Sequence, residues 1–401
     1  MLSLTVSLAT PDPKTGNIAR PSKPPVLKSD SAPSSSSPPL RIVHLTLASA
    51  AGGLSRYLID LSVALRDWGH EVTILGDRGA WHDRFEAAGL DYRIVPLESG
   101  PRGLWTSAGV LSDVLKQKPV DVLHSHYRRA SLMGRLGRWR AGTQTPLLYT
   151  LHLSHIDVSG WRRWLSDFGD HTHVASQDAA DWLKGLGTPA DKISLVPHGI
   201  HTEQYPTRGE NDRRTAREQL GLPIDATVAC FVGRLDHPKN ETWCLDVLAD
   251  PRCAGVHLLV AGEGPREQAF RQEVASRGLA SRVHVLGHAD PLPVYQASDL
   301  LLLPSLREGF SLVCAEAMSV GVPHVRTRTS GSAELTIQNE TGIATEIDRD
   351  AFVAAASEAL ANPTSLQAMG DLAADRVREH FQFQQQVTQT LALYRRLCGP
   401  A

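Results

Sequence analysis

The densest set of groups able to do chemistry lies in Arg307-Glu308-Gly309-Phe310-Ser311-Leu312-Val313-Cys314-Ala315-Glu316-Ala317-Met318, followed by Gly321-Val322-Pro323. It comes after the apolar run Leu300-Leu301-Leu302-Leu303-Pro304-Ser305, which reads as a buried parallel strand, and it leads into a helix. The first free N–H groups of that helix are expected near Gly309, Phe310, Ser311 and Leu312. Unpaired amides and the positive end of the helix dipole favour a phosphate there. Glu308 just before the helix and Glu316 inside it offer carboxylate acceptors for hydroxyl groups. Phosphate donors beside hydroxyl acceptors suit a sugar nucleotide.

A second group sits in Val232-Gly233-Arg234-Leu235-Asp236-His237-Pro238-Lys239-Asn240, where a strand ends in a glycine turn bearing two cations. At the C-terminal edge of a parallel sheet, Arg234 and Lys239 would face the same crevice as the helix after Gly309. A planar guanidinium fork and a mobile ammonium suit a diphosphate whose charge grows as it leaves. A solvated loop with two common cations is the plain alternative. Gly262-Glu263-Gly264 follows another strand, and such a pair of glycines is equally consistent with a tight turn. Asp348-Arg349-Asp350 has a cation-binding spacing but directly precedes a helical pattern, where an N-cap explains it better, so no metal is expected.

Short apolar runs alternating with helical patterns from Arg41 onward predict parallel α/β architecture. The first strand is Ile42–Leu47. A small-residue loop, Ala48-Ser49-Ala50-Ala51-Gly52-Gly53, then opens a helix whose Leu54, Leu58, Leu61 and Leu65 share one face. Further strands are expected at 71–75, 92–95, 121–124, 146–151, 173–176 and 193–196. The pattern restarts with strands at 228–232, 257–260, 283–286, 300–303 and 324–327. The domains read as a Pro/Ser-rich disordered tail over 1–40, a first Rossmann-like domain over 41–200, a second over 201–380, and a last helical segment over 381–401.

With 42% hydrophobic and 21% charged residues and a formal net charge of -2, the 401-residue chain has no whole-chain pull toward nucleic acid. Five cysteines form no metal or redox spacing and read as reduced core residues. The apolar start lacks a basic n-region and soon meets Pro11 and Pro13, and no apolar run is long enough to span a bilayer. A cytoplasmic location is expected, with peripheral contact at the inner face of the membrane through Arg128, Arg129, Arg135, Arg138-Trp139-Arg140 and Trp161-Arg162-Arg163-Trp164.

The Glu308-to-Glu316 spacing in this setting resembles the Glu-x7-Glu donor-site signature of the retaining "glycosyl transferases group 1" family, over a span from about Arg41 to the C-terminus. The resemblance implies the GT-B fold, two doubly wound Rossmann-like domains facing a cleft, with the last helix crossing back to the first. It implies that Arg234 and Lys239 grip a nucleoside diphosphate, that Glu308 holds the donor sugar and Glu316 the ribose, and that Gly262 lies beside the nucleotide with the Leu286 backbone at the base. It places Gly52 and Gly53 near the donor phosphates and His152, in Thr150-Leu151-His152, at the donor sugar or acceptor side, although a lone histidine at a strand end is more often structural. The implied reaction moves a hexose from a nucleoside diphosphate sugar, a UDP-sugar being favoured, to a hydroxyl of a saccharide or lipid-linked acceptor, without a cofactor. The implied setting is polysaccharide, lipopolysaccharide or glycolipid assembly. A UDP-sugar epimerase of the same fold, a hydrolase using the two glutamates as a pair, and a non-catalytic sugar-nucleotide-binding protein are the rivals. Two departures stand out: His198-Gly199-Ile200-His201 where the family has Asn-Gly-Ile/Val-Asp, and Ser330-Gly331 before Glu334 where it has Gly-Gly.

Overall fold

The short apolar runs pair side by side into two parallel sheets in a computed structural model that describes residues 38–47, 53–160 and 166–399. Expectations for the tail up to residue 37, for Gly52 with its loop from Ala48, and for Trp161–Trp164 lie outside the described residues. The first sheet holds β1 (Arg41–Thr46), β2 (Glu71–Gly76), β3 (Asp91–Ile94), β4 (Val122–Ser125), β5 (Leu147–Leu151), β6 (His171–Val174) and β7 (Ile193–Leu195). The second holds β8 (Val228–Val232), β9 (His257–Ala261), β10 (Val283–Gly287), β11 (Leu300–Leu303), β12 (His324–Thr327) and β13 (Gly342–Thr345). Helices cover both faces, so β8 and β11 are buried at every position and read as unbroken apolar runs.

Strand order decides where a ligand can sit. It runs β3-β2-β1-β4-β5-β6-β7 in one sheet and β10-β9-β8-β11-β12-β13 in the other, so each reverses direction once, between β1 and β4 and between β8 and β11. Loops leaving the carboxyl ends of neighbouring strands diverge at such a point and open a crevice. Arg234 and Lys239 follow β8, and Glu308 and Gly309 follow β11. The Gly53–Asp67 helix follows β1.

The strand at 173–176 is displaced: β6 occupies His171–Val174. Ser176 leaves the sheet to cap the next helix, its hydroxyl accepting from the Ala179 N–H at 3.2 Å. β13 has no counterpart in the sequence reading, because a short edge strand on one partner carries no long apolar run.

The Phe383–Cys398 helix lies against the first sheet, where Phe383, Val387, Leu391 and Tyr394 share a core with Ile42, Leu58, Leu61 and Val122. Its entry is stitched to the link between sheets: Ile200 N donates to Phe381 O and Phe383 N to Ile200 O, both at 2.9 Å. A Cβ on Gly199 would lie 2.4 Å from Gln382 O, so only glycine fits that crossing. Four cysteines are buried as expected, but Cys398 is exposed because it falls in the last turn of this helix. Among the described residues no helix is long and apolar enough to cross a membrane.

Candidate functional site

Two helix N-termini meet at the cleft. The Leu312–Val320 helix begins after Ser311, whose hydroxyl accepts from the Cys314 N–H at 3.4 Å. The helix therefore starts at the late end of the expected window, leaving the Leu312 and Val313 amides as its free donors while the Ser311 side chain is spent on the cap. Across the cleft, Gly53 opens the Gly53–Asp67 helix, and a Cβ on it would stand 3.5 Å from Leu312 Cδ1. The positive ends of two helices thus approach one space.

The glycine before the second helix is a matter of clearance. A Cβ on Gly309 would lie 1.8 Å from the carbonyl oxygen of His152, so the loop after β11 rests directly on the end of β5. Gly331, in the left-handed region at φ 75°, presses on Gly309 from the other side, where a Cβ would come 2.5 Å from Gly309 O. Phe310 does not offer its ring to a ligand: it is buried, 5.5 Å from Phe381 and 5.7 Å from His198.

Lys239 Nζ donates to Glu308 Oε1 at 2.6 Å. Burial pushes the Glu308 carboxyl up, but Lys239 and, to a lesser degree, the buried Arg326 outweigh it and hold the group below its ordinary range. Glu308 is therefore an ionised acceptor with oxygen capacity to spare. Arg234 is more exposed and pairs with Asp236 at 3.3 Å.

Glu316 faces a different set of donors. Oε1 accepts from Arg56 Nη1 at 2.8 Å and Oε2 from the Tyr295 hydroxyl at 3.0 Å. Arg56 also donates to the Tyr205 hydroxyl at 3.2 Å. Burial raises the proton affinity of Glu316, and Arg56 with the two phenols offsets part of that rise. The two glutamates are thus held by separate cations, Glu308 by Lys239 and Glu316 by Arg56.

After β9, Gly262 has φ 146°, and a Cβ on it would lie 1.8 Å from Gly233 O. Turns after β8 and β9 are packed backbone to backbone there. Val285 pairs with Val260 and Gly287 with Ala261, so Leu286 is skipped in the register as at a β-bulge.

His152 brings company that sequence reasoning missed. Its Nε2 is 3.2 Å from His126 Nδ1, and His126 Nε2 is 3.0 Å from His44 Nδ1. His124 bridges the Tyr394 hydroxyl and Thr150 Oγ1, both at 2.6 Å. These residues stack because adjacent parallel strands align them, His44 pairing with His124 in register. No single histidine signals the cluster in a chain with seventeen. Arg56, Tyr205 and Tyr295 were missed for the same reason.

Both departures from the family pattern acquire partners. Ser330 Oγ bonds Ser154 Oγ at 2.8 Å and Asp178 Oδ2, and Glu334 Oε1 accepts from the Gln177 N–H at 2.6 Å, tying the second sheet's loops to the first. A cleft of about 590 Å³ opens here, lined by Ser154, Asp178, Glu308 and Ser330 among others, a size that suits a small substrate. His201 pairs with Glu203 at 3.0 Å and with Asp60 at 3.6 Å.

Asp348 is the N-cap the sequence suggests, accepting from the Ala351 N–H at 2.8 Å. Much of the basic face read as a membrane contact is engaged within the protein: Arg135 pairs with Asp167, Arg138 with Asp170, and Arg129 donates to Leu97 O. Trp139 and Trp105 remain exposed, with Arg140 over the Trp105 ring at 4.5 Å.

Comparison with known proteins bears on the whole cleft. Residues 226–362 match the model described as "Glycosyl transferases group 1", and residues 51–204 match "Glycosyltransferase Family 4". Similar curated proteins are the D-inositol 3-phosphate glycosyltransferases of Corynebacterium efficiens, 28% identical over 73% of this chain and 78% of that one, and Catenulispora acidiphila, 29% identical over 73% and 78%. Among solved structures, a glycosyltransferase from Rickettsia africae superimposes with a TM-score of 0.81 at 17% identity, covering 90% of this chain and 100% of that one. The Anabaena protein HepE in complex with UDP does so with a TM-score of 0.77 at 21% identity, covering 88% and 99%. Sheet topology, helix crossing and both family matches agree: the chain joins a Glycosyltransferase Family 4 domain over residues 51–204 to a glycosyl transferases group 1 domain over residues 226–362, as a glycosyltransferase of the GT-B fold.

Proposed function

We propose that the protein transfers a hexosyl group from a UDP-sugar to a hydroxyl acceptor with retention of anomeric configuration. The observation that carries this reading is the convergence of the Gly53 and Leu312 helix N-termini beside the Lys239–Glu308 pair, at the switch points of both sheets. The two helix ends, Lys239 and Arg234 supply positive potential for a diphosphate, and stabilisation of the leaving group is the largest catalytic term available to such a site. Glu308 accepts from donor-sugar hydroxyls, and Glu316 accepts from the ribose. Gly262 and the Leu286 backbone border the base, a placement favoured by the skipped register at Leu286.

Glu308 bonded to Lys239 and Glu316 bonded to Arg56 suit acceptors that hold hydroxyl groups in place. The sugar–phosphate bond breaks as the acceptor oxygen approaches on the same face, and a leaving phosphate oxygen takes the acceptor proton. Positioning, charge stabilisation and exclusion of water are the protein's part. HepE has been crystallised with UDP-glucose, and the curated relatives act on D-inositol 3-phosphate, which supports a UDP-sugar donor and places a phosphorylated polyol beside saccharide and lipid-linked hydroxyls among the acceptors to try. Incubation with a panel of UDP-sugars and these acceptors, followed by mass spectrometry, tests the reading. A product heavier than the acceptor by one hexosyl unit supports it, and conversion of the donor to an epimer without an acceptor overturns it.

A further inference from the structure

Beneath the cleft, the carboxyl ends of β1, β4 and β5 bring three imidazoles into a line. His152 Nε2 lies 3.2 Å from His126 Nδ1, and His126 Nε2 lies 3.0 Å from His44 Nδ1. His44 and His126 are buried, and His44 Nε2 has no partner among the described residues. His152 is half-buried, and its Nδ1 has no hydrogen-bond partner among the described residues. His124 stands apart from the line, since both its ring nitrogens are taken by Tyr394 and Thr150. That leaves too few free nitrogens to treat the group as a three-histidine metal site.

Burial pushes His44 and His152 down to about 3 and His126 well below its ordinary value, so all three rings are neutral. A neutral imidazole carries one N–H and one bare nitrogen. Each link in the line needs one of each, which leaves only two solutions. Either all three rings are protonated on Nδ1, or all three are protonated on Nε2. A change at one ring forces the same change at the others.

The far end chooses between them. Protonation on Nε2 would bury a donor at His44 with nothing to accept it. Protonation on Nδ1 leaves only a bare acceptor nitrogen, and orphaned buried N–H groups are the rarer of the two. We propose that His44 and His126 are positioning residues that fix His152 as the Nδ1–H tautomer, so that it offers the cleft a hydrogen-bond donor for a substrate oxygen and not a base. The proposal rests on the reading that His152 borders the bound sugar or acceptor.

The test is long-range ¹H–¹⁵N correlation on the full chain labelled with ¹⁵N-histidine, without substrate, each ring being assigned by its loss in a single variant. Nδ1–H on His44, His126 and His152 together is the expected result. Nε2–H on any of the three, or averaging between tautomers, would overturn it. His126→Phe cuts the line: His152 should then show mixed tautomers and kcat should fall about tenfold with little change in KM, the value of one lost hydrogen bond. His126→Asn, which can still accept from one side and donate to the other, should restore both readouts. An unchanged His152 tautomer in a folded His126→Phe variant counts against the relay. The tautomers are read without turnover, so a failure to find glycosyl transfer would leave this result standing, and turnover would not rescue a wrong tautomer.

Discussion

Arg56 Nη1 donates to Glu316 Oε1 at 2.8 Å, so a guanidinium on the first sheet's Gly53–Asp67 helix closes on a carboxylate inside the second sheet's Leu312–Val320 helix. The Glu316 side chain is 5% exposed and that of Arg56 32%, so the carboxylate depends on the pair more than the guanidinium does. Arg56→Ala should lower stability by about 1–2 kcal/mol, below the range for fully buried pairs because Arg56 is partly solvated. Glu316→Gln keeps acceptor and donor atoms and should melt close to the parent, yet bind UDP about tenfold more weakly through lost charge at the ribose. Thermal melting and calorimetry separate these effects; unchanged UDP affinity in Glu316→Gln would remove the ribose assignment.

Lys239→Ala and Arg234→Ala should each fold and each lose on the order of 10²–10³ in kcat, as expected when one charge-stabilising contact to a leaving group is deleted. Steady-state rates at saturating donor provide the check. Near-parental turnover in both variants would mean that the diphosphate lies elsewhere.

Glu308→Gln should leave affinity for free UDP within about twofold while weakening the intact UDP-sugar by about tenfold, since the carboxylate is assigned to sugar hydroxyls. Titration calorimetry with both ligands gives the ratio, and equal losses for the two would refute the division of labour.

His201 gives a pH dependence with a definite sign. Burial works against its charged form, but the hydrogen-bonded Glu203 and the nearby Asp60 carboxylate raise it from 6.5 to about 9 in the folded protein. The unfolded ring binds its proton less tightly, so the stabilisation is complete below pH 6.5 and is lost as pH rises through about 9. The full contribution is about 3 kcal/mol on the linkage scale. The melting temperature should therefore fall between pH 6.5 and 9.5, and His201→Gln should flatten that slope. A parental slope in the variant would assign the dependence to other groups.

What the sequence reveals tracks how local the physics is. β8 and β11 have the bounds expected from their apolar runs, because strands buried on both faces announce themselves residue by residue. Lys239 and Glu308 are legible as loop residues after such strands, although their 2.6 Å contact is not. Arg56 and Glu316 lie 260 positions apart, and nothing in the pattern around Arg56 marks it. Ser311 shows a subtler limit: the residue type is right for a helix start, but its hydroxyl satisfies the helix itself. The tight fit of Gly309 on His152 and of Gly199 on Gln382 arises only when the two sheets meet, so sequence flags the glycines without saying what they clear.

The measurement that bears most directly on the central claim is a time course by ¹H and ³¹P NMR with a UDP-hexose and a hydroxyl acceptor from the panel. The account predicts UDP released in step with product and an anomeric coupling constant in the product of the same class as in the donor, abolished together in Lys239→Ala. A product of inverted configuration would contradict retention, and full turnover in Lys239→Ala would contradict the site.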